Sequence, residues 1–579
     1  MAKTDISIEE LVNKVKRGEL KLPEMQRRYV WKATRVRDLL DSLYRGYPSG
    51  TILVWQTEEE VETRDLSIAP VQTPTVNEKL LLLDGQQRIT SLSAIITGNP
   101  VTVRSKGVRT KNINILFNLD HPEDPLSEVT EVEENGEEEL TMDIEGDETE
   151  DDNDDDIEDE GSVTEELRKR TFVVESRSLK NDPKWVSVSD IFIKTDKDIL
   201  KRLGINSDDD KWDKYAGRLQ KIRDIKKYQY VMQVLEKNLS YEEVTEIFVR
   251  VNSLGIKLRG SDLALAQITS KWSGFTKKIE ELSKEFTGEE DFINESGIPV
   301  RLLVVFATGQ SKFKTVGRLS LETLMASWEK AVRGLRFAIN FLKSNANVES
   351  LSLISSPFLL VPIAYYAVTN DEKITTENEK KLLRWFYWAH MRAHYGMGST
   401  EAYLDIDINS LKETNNLDDL LAKLKTHVKF YEFSGDELQY RTKRSPVFSM
   451  MYLVLKHNGA RDWWSSLNIS MKHIGKSHKL QFHHIFPKSL LKDENYTTKE
   501  INEIANMAFI GGKTNRRITN KKPIEYFEDI ISHKGNEVLE SQLIPMDKDL
   551  WELKNYNIFL EGRRNKIADT INNFLKQFE

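Results

Sequence analysis

Residues 122 to 166 hold 24 Asp and Glu and no Lys or Arg. No stretch of that kind can bury an apolar face, so whatever folds here is assembled from the sequence on either side of it. Two apolar segments flank it, NILFNL at 114–119 and FVV at 172–174, and both read as strands. The acidic run is therefore an insertion in a loop between two strands of one domain. A solvated loop is the plain reading; the sharper one is a polyanion that occupies a basic groove until another polyanion displaces it. Setting its carboxylates aside turns the net charge of −10 into +14. That is the sign expected of a body that meets nucleic acid, although an ordinary enzyme also tolerates it.

At 579 residues the chain is too long for one core, and about two to four domains are expected. It has no cysteine, which excludes disulfides, thiolate zinc sites and covalent cysteine catalysis. The start, MAKTDISIEE, shows no apolar signal region, and no run of about 18 apolar residues occurs. A soluble cytoplasmic protein without membrane contact is the expectation.

Taken in order, Ser7 and Glu10 make a capping box for a helix over 7–17, whose Ile8, Leu11, Val12 and Val15 share one face. A helix over roughly 33–45 stops at Gly46, and TILVW reads as a strand. A second strand, LLLL at 80–83, runs directly into Asp84-Gly85-Gln86-Gln87-Arg88 and the helix RITSLSAIITG. Strand, tight glycine turn and helix N-terminus together form an anion site, because backbone N–H groups and the helix dipole point at the ligand. Arg88 adds a fork for phosphate and Asp84 a metal or water ligand; the plainer alternative is a βα turn capped by Asp84. No Walker A sequence is present.

Residues 271–435 read as almost wholly helical. Within them His390 and His394 stand four apart, a spacing that suits a metal, but there is no HExxH glutamate and a packed pair is the plainer reading. The run Trp385, Phe386, Tyr387, Trp388 reads as helix core, with a channel for a flipped base as the alternative.

The densest pattern lies at 480–523. It runs from LQFHHIFP through Asn506 in IANMAFI and a Gly-Gly turn to Asn515 in KTNRRITN. The pattern resembles the ββα-metal fingerprint of HNH nucleases in its His-His-Asn-Asn form. The resemblance makes His484 the general base, because an imidazole titrates near working pH. It makes His483 and Asn515 the metal ligands, His483 standing where an Asp is usual. Asn506 would pin the loop and hold the His484 ring in its tautomer. Arg516, Arg517, Lys521 and Lys522 would clamp the phosphate. Two protein ligands leave the other positions to water and phosphate, which suits Mg²⁺, with Mn²⁺ as a substitute.

LPEMQRRYVW followed by LLLDGQQRITSL resembles the N-terminal domain of the GmrSD family of modification-dependent (type IV) restriction enzymes, shared with SspE and BrxU. IFVRVNSLGIKLRGSDLALAQI at 247–268, with Asp262, is a further mark. The resemblance implies an α+β multidomain protein. A ParB/sulfiredoxin-like NTP-binding sensor would span 1–270 with its acidic insertion, a mostly α-helical linker domain 271–435, and an HNH nuclease domain 436–579. It implies an NTP site, for ATP or GTP, made by Gln26, Arg27, Asp84, Gly85, Gln86, Gln87 and Arg88 and completed by Arg250 and Asn252. Tyr29 and Trp31 fall to the core instead. The substrate implied is double-stranded DNA, modified phage DNA in particular, cut in anti-phage defence, and a homodimer is compatible. The alternatives are an NTP-binding DNA-binding regulator with a non-catalytic HNH scaffold, and an RNA nuclease.

Overall fold

The computed structural model describes residues 2–579 except 27–28, 30, 59–60, 65, 67–78, 100–101, 105–109, 124–166, 177–178, 180–181, 255–259, 430–431 and 476. The chain forms two compact units, residues 279–579 making up most of the second. The core of the first is a mixed sheet of six strands. Its strands are β1 (Ala2–Ser7), β2 (Leu20–Pro23), β3 (Ile52–Thr57), β4 (Thr63–Arg64), β5 (Lys79–Asp84) and, much later, a strand over Gln229–Leu235, in the order β1, Gln229–Leu235, β3, β5, β2, β4. The helices α1 (Ile8–Lys16), α2 (Ala33–Arg45) and α3 (Gln86–Thr97) supply one layer. Tyr241–Leu254 and Gly260–Thr269 supply the other.

This two-sided cover explains the LLLL run. In a strand, neighbouring side chains point to opposite faces. Leu82 enters the layer with Ile52, Val54 and Ile89, while Leu81 and Leu83 enter the layer with Trp55, Val244 and Phe248. Each position is buried, and full burial of such a side chain contributes about 1.5–3 kcal/mol. Helix α1 begins as its capping residues require, the Ser7 hydroxyl accepting from the Glu10 N–H at 3.1 Å. Helix α2 ends at Gly46, whose φ of 76° is left-handed.

The strands expected around the acidic insertion are present as Ile115–Asn118 and Phe172–Val174. They pair antiparallel, Phe117 opposite Phe172, so the insertion joins neighbouring strands. Trp185–Ser187 adds the third strand at the sheet edge. The insertion itself, from residue 124, lies outside the described residues.

The second unit is mainly helical and holds both the stretch from 279 to 435 and everything after it. Its longest helix, Leu321–Asn345, packs on Leu360–Thr369 so tightly that a Cβ on Gly334 would stand 3.0 Å from Ala364 Cβ. Trp385, Phe386, Tyr387 and Trp388 are buried, as helix core.

The histidines four apart do not share a metal. The helix Thr376–Met391 ends before His394, and Ala393 turns the chain with φ 49°. His390 accepts the Ser355 N–H at Nδ1 (2.9 Å) and lies 3.0 Å from the Ser449 hydroxyl at Nε2. His394 instead lies 2.9 Å from the buried Asp407 carboxylate. Burial lowers the His390 pKa to about 3. A histidine held neutral in the folded state but free to protonate near pH 6.5 when unfolded stabilises fully above that pH. The contribution is lost as pH falls toward the folded value. From pH 7.5 to 5 this one ring should cost about 2 kcal/mol, and His121 and His483, both lowered to about 4 by burial, act in the same sense. Chemical denaturation at stepped pH checks this: His390→Gln should have a flatter acid limb than the wild type.

Candidate functional site

The second unit carries a strand, Leu480–His484, paired antiparallel with Met507–Gly511, followed at once by the helix Gly512–Ile518. Alternation sends Phe482 toward Phe448 and Phe509, with ring centroids 5.0 and 5.6 Å away. It sends Gln481 and His483 to the opposite face, where the helix presents Asn515. The Asn515 amide is oriented by two bonds. Its Nδ2 donates to Gln481 Oε1 at 2.7 Å, and its Oδ1 lies 2.7 Å from His483 Nδ1.

His483 is nearly buried, edge-on to Trp463 and Tyr526, and burial lowers its pKa to about 4, so the ring is neutral at pH 7. Its Nε2 is a buried nitrogen without a hydrogen-bond partner among the described residues. In the bond to Asn515, His483 Nδ1 carries the proton and donates to the amide oxygen; with that proton on Nε2, the Nδ1 lone pair and the amide oxygen, 2.7 Å apart, would form a donor pair that fits one divalent cation. Two adjacent ligands at about 2.1 Å from an octahedral ion stand about 3 Å apart. Among the described residues no group of three or more His, Cys, Asp or Glu gathers to hold a metal.

His484 ends the strand, half-buried, with its Nε2 2.9 Å from Asn502 Oδ1. The amide oxygen is an acceptor only, so Nε2 carries the proton in this bond and the tautomer is set. The structure thus corrects the role expected of Asn506, which is fully buried and does not orient the ring. Its Oδ1 accepts the Phe486 N–H at 2.9 Å, and its Nδ2 donates to the Phe486 and Ile501 carbonyls at 3.2 and 3.0 Å. Asn506 pins the loop and Asn502 holds the imidazole.

Three buried side chains that no motif marks hold this frame. Asp462 takes the Gly511 N–H and the Thr514 hydroxyl, each at 2.7 Å, and so fixes the start of the helix that carries Asn515. Gln542 receives the Phe509 N–H at 2.8 Å and donates to the Phe509 carbonyl at 2.8 Å. Arg563, fully buried, donates to the Ala505 and Met507 carbonyls at 2.7 Å each, on both sides of Asn506. A Gly-Gly turn is needed at 511–512 because a Cβ on Gly511 would lie 3.3 Å from the Ser477 carbonyl. Arg516 and Arg517 are exposed on this helix, and the Arg517 guanidinium stacks 3.4 Å over the Trp464 ring.

The first unit carries the DGQQR turn. Asp84 ends β5, Gly85 adopts φ 98°, and α3 starts at Gln86. Gln26 is buried and donates to the Leu83 carbonyl at 2.6 Å, tying the preceding loop to β5. The Trp31 N–H donates to Gln87 Oε1 at 3.2 Å, and Tyr29 and Ser91 share a 2.7 Å hydrogen bond. Trp31 packs against the core, as expected of it.

Arg88 has a different task from the one expected. Its guanidinium donates to the carbonyls of Ser49 and Thr51 and lies 3.3 Å from Asp84 Oδ2. It braces the 49–51 turn, where Gly50 has φ 96° and a Cβ would collide with Arg88. It does not stand clear as a phosphate fork. Arg250 is exposed and pairs with Glu246 one turn earlier. Arg27 and the side chain of Asn252 lie outside the described residues.

A family model described as the GmrSD restriction endonuclease N-terminal domain matches residues 8–269. The chain is 22% identical to an uncharacterized protein, MJ0686, of Methanocaldococcus jannaschii, in an alignment covering 97% of each chain.

Proposed function

We propose, from the match of residues 8–269 to the GmrSD restriction endonuclease N-terminal domain, that this protein is an NTP-regulated endonuclease of anti-phage defence that hydrolyses phosphodiester bonds in modified foreign DNA. The observation that carries the reading is the 2.7 Å approach of His483 and Asn515, with His484 next in the chain, half-buried and held by Asn502.

His483 and Asn515 would hold a divalent ion, Mg²⁺ or Mn²⁺, which would supply charge neutralisation at the phosphate. His484 takes the proton from the attacking water through the ring nitrogen that does not face Asn502. Asn506 keeps the loop after His484 in place, and Arg516 pairs with a phosphate oxygen. In the first unit the turn from Asp84 to Gln87 at the start of α3 receives the phosphates of ATP or GTP, while Arg88 shapes the turn from behind.

The test is cleavage of matched plain, glucosylated-hydroxymethylcytosine and phosphorothioate DNA, with Mg²⁺ or Mn²⁺, with ATP or GTP added separately, and with an RNA control. Nicking or cutting of a modified DNA is expected. Binding without cleavage of any DNA would favour a non-catalytic regulator, and cleavage of RNA alone would overturn the DNA assignment.

A further inference from the structure

The loop between Trp464 and the first strand of the candidate site has an apolar tip. Ile474 is 87% exposed, the highest value among the large hydrophobic side chains of the described residues. The adjoining Gly475, at φ 86°, makes the turn that turns it outward. An isolated surface isoleucine needs no explanation, but this one sits on a braced support. Before the tip, half-buried Glu349 accepts the Met471 N–H at 2.8 Å and the Ser470 hydroxyl at 2.7 Å. After the tip, the Ser477 carbonyl accepts the Lys513 N–H at 2.9 Å, and the Lys479 carbonyl the Gly512 N–H at 3.1 Å.

Those last two bonds attach the loop to the helix that carries Asn515. Ile474 is three residues from Ser477, and three residues span at most about 10 Å. The tip is therefore held within about 10 Å of Ser477, on the loop bonded to the helix of the proposed metal ligand. The nearby carboxylates of Glu349 and Asp462 are taken up by backbone N–H and hydroxyl groups of the site, and the exposed charges of the flanking segments are cationic. Residues 463–492 and 504–524 together contain ten Lys and Arg and no Asp or Glu, in a chain whose net charge is −10. Exposed Lys472, Lys513, Arg516 and Arg517 are among them. A protein partner with an apolar socket would not call for such one-sided charge, whereas a phosphate backbone does.

We propose that Ile474 is a wedge that enters the base stack of duplex DNA beside the scissile phosphate and kinks it. The inference rests on the nuclease reading above. Apolar side chains on a basic support unstack a base step in this way, and the cost of unstacking is recovered from the backbone contacts that the bend allows. The wedge works at a position that no base-specific hydrogen bond reads, so its preference is for flexible pyrimidine–purine steps.

The experiment uses the full chain, as wild type, Ile474→Ala and Ile474→Met. All three should melt together, because the side chain packs against little. The duplex is the sequence around the strongest cut found in the DNA panel, with 2-aminopurine placed at successive steps, bound by each protein in a His484→Ala background. The His484→Ala protein with Ile474 intact should raise the fluorescence at one step. Ile474→Ala should not, and in the active background it should cut about tenfold or more slowly. Ile474→Met should restore both signals. If the wild type cuts but Ile474→Ala cuts equally fast with the same fluorescence, the wedge is wrong and the nuclease stands. If the wild type cuts no DNA, both fall.

Discussion

Replacing His484 by alanine should lower phosphodiester cleavage by about 10²–10⁴-fold, the span that a positioned general base contributes, while leaving the melting temperature nearly unchanged. The side chain is half-buried at a strand end, where it bonds the Asn502 amide. Asn502→Ala keeps the ring but removes the acceptor that sets its tautomer, and its loss should be smaller, about tenfold. Asn502→Asp keeps an acceptor oxygen and should retain more activity than Asn502→Ala. Initial rates of plasmid nicking at saturating metal read all three. A His484→Ala protein that nicks at the wild-type rate would remove the imidazole from the chemistry.

The largest effect on stability is expected at Arg563. Its guanidinium is fully buried and donates to three carbonyls, those of Ala505, Met507 and Gln542. Burial lowers its pKa to about 9, still high enough for it to be charged at neutral pH. Arg563→Met fills most of the volume but strands three buried carbonyls, at about 3–5 kcal/mol in total. For a unit of this size the melting temperature should drop by on the order of 10 °C. Arg563→Lys, with one compact charge in place of a planar fork, should fall between. The two carbonyls nearest the site flank Asn506, so cleavage should fail at a lower temperature than in the wild type. Calorimetry paired with nicking at stepped temperatures measures both losses.

Much of the frame was legible because spacing and alternation have local causes. Ser7 and Glu10 marked a helix start, Gly46 a helix end, and LLLL a strand, although the sequence alone did not say that both faces of that strand are covered. The His-His, Asn506 and Asn515 spacing foretold a strand, a strand and a helix, and the helix returns Asn515 to His483.

What stayed hidden depends on residues far apart in the chain. Asn502 sits in KEINEIAN, where nothing separates it from an ordinary surface amide. Asp462 lies well before the first strand and reads as a loop residue. Arg563 reads as the solvent face of a long helix, since arginine is seldom fully buried. Arg88 misled for the opposite reason: a helix N-terminus with an arginine resembles a phosphate clamp, but the carbonyls that occupy it come from the turn at Gly50. The four-residue spacing of His390 and His394 implied one helix face, until the left-handed Ala393 broke the helix between them.

The side chains along the outer margin of Met507–Gly511 have one more consequence. Arg563 takes the Met507 carbonyl, Gln542 both backbone groups of Phe509, and Asp462 the Gly511 N–H, each position facing away from the partner strand. A two-stranded ribbon normally offers such a row as a template for a foreign strand. Here the rungs at Met507, Phe509 and Gly511 are already claimed by side chains, so this margin is closed to strand addition by a neighbouring copy.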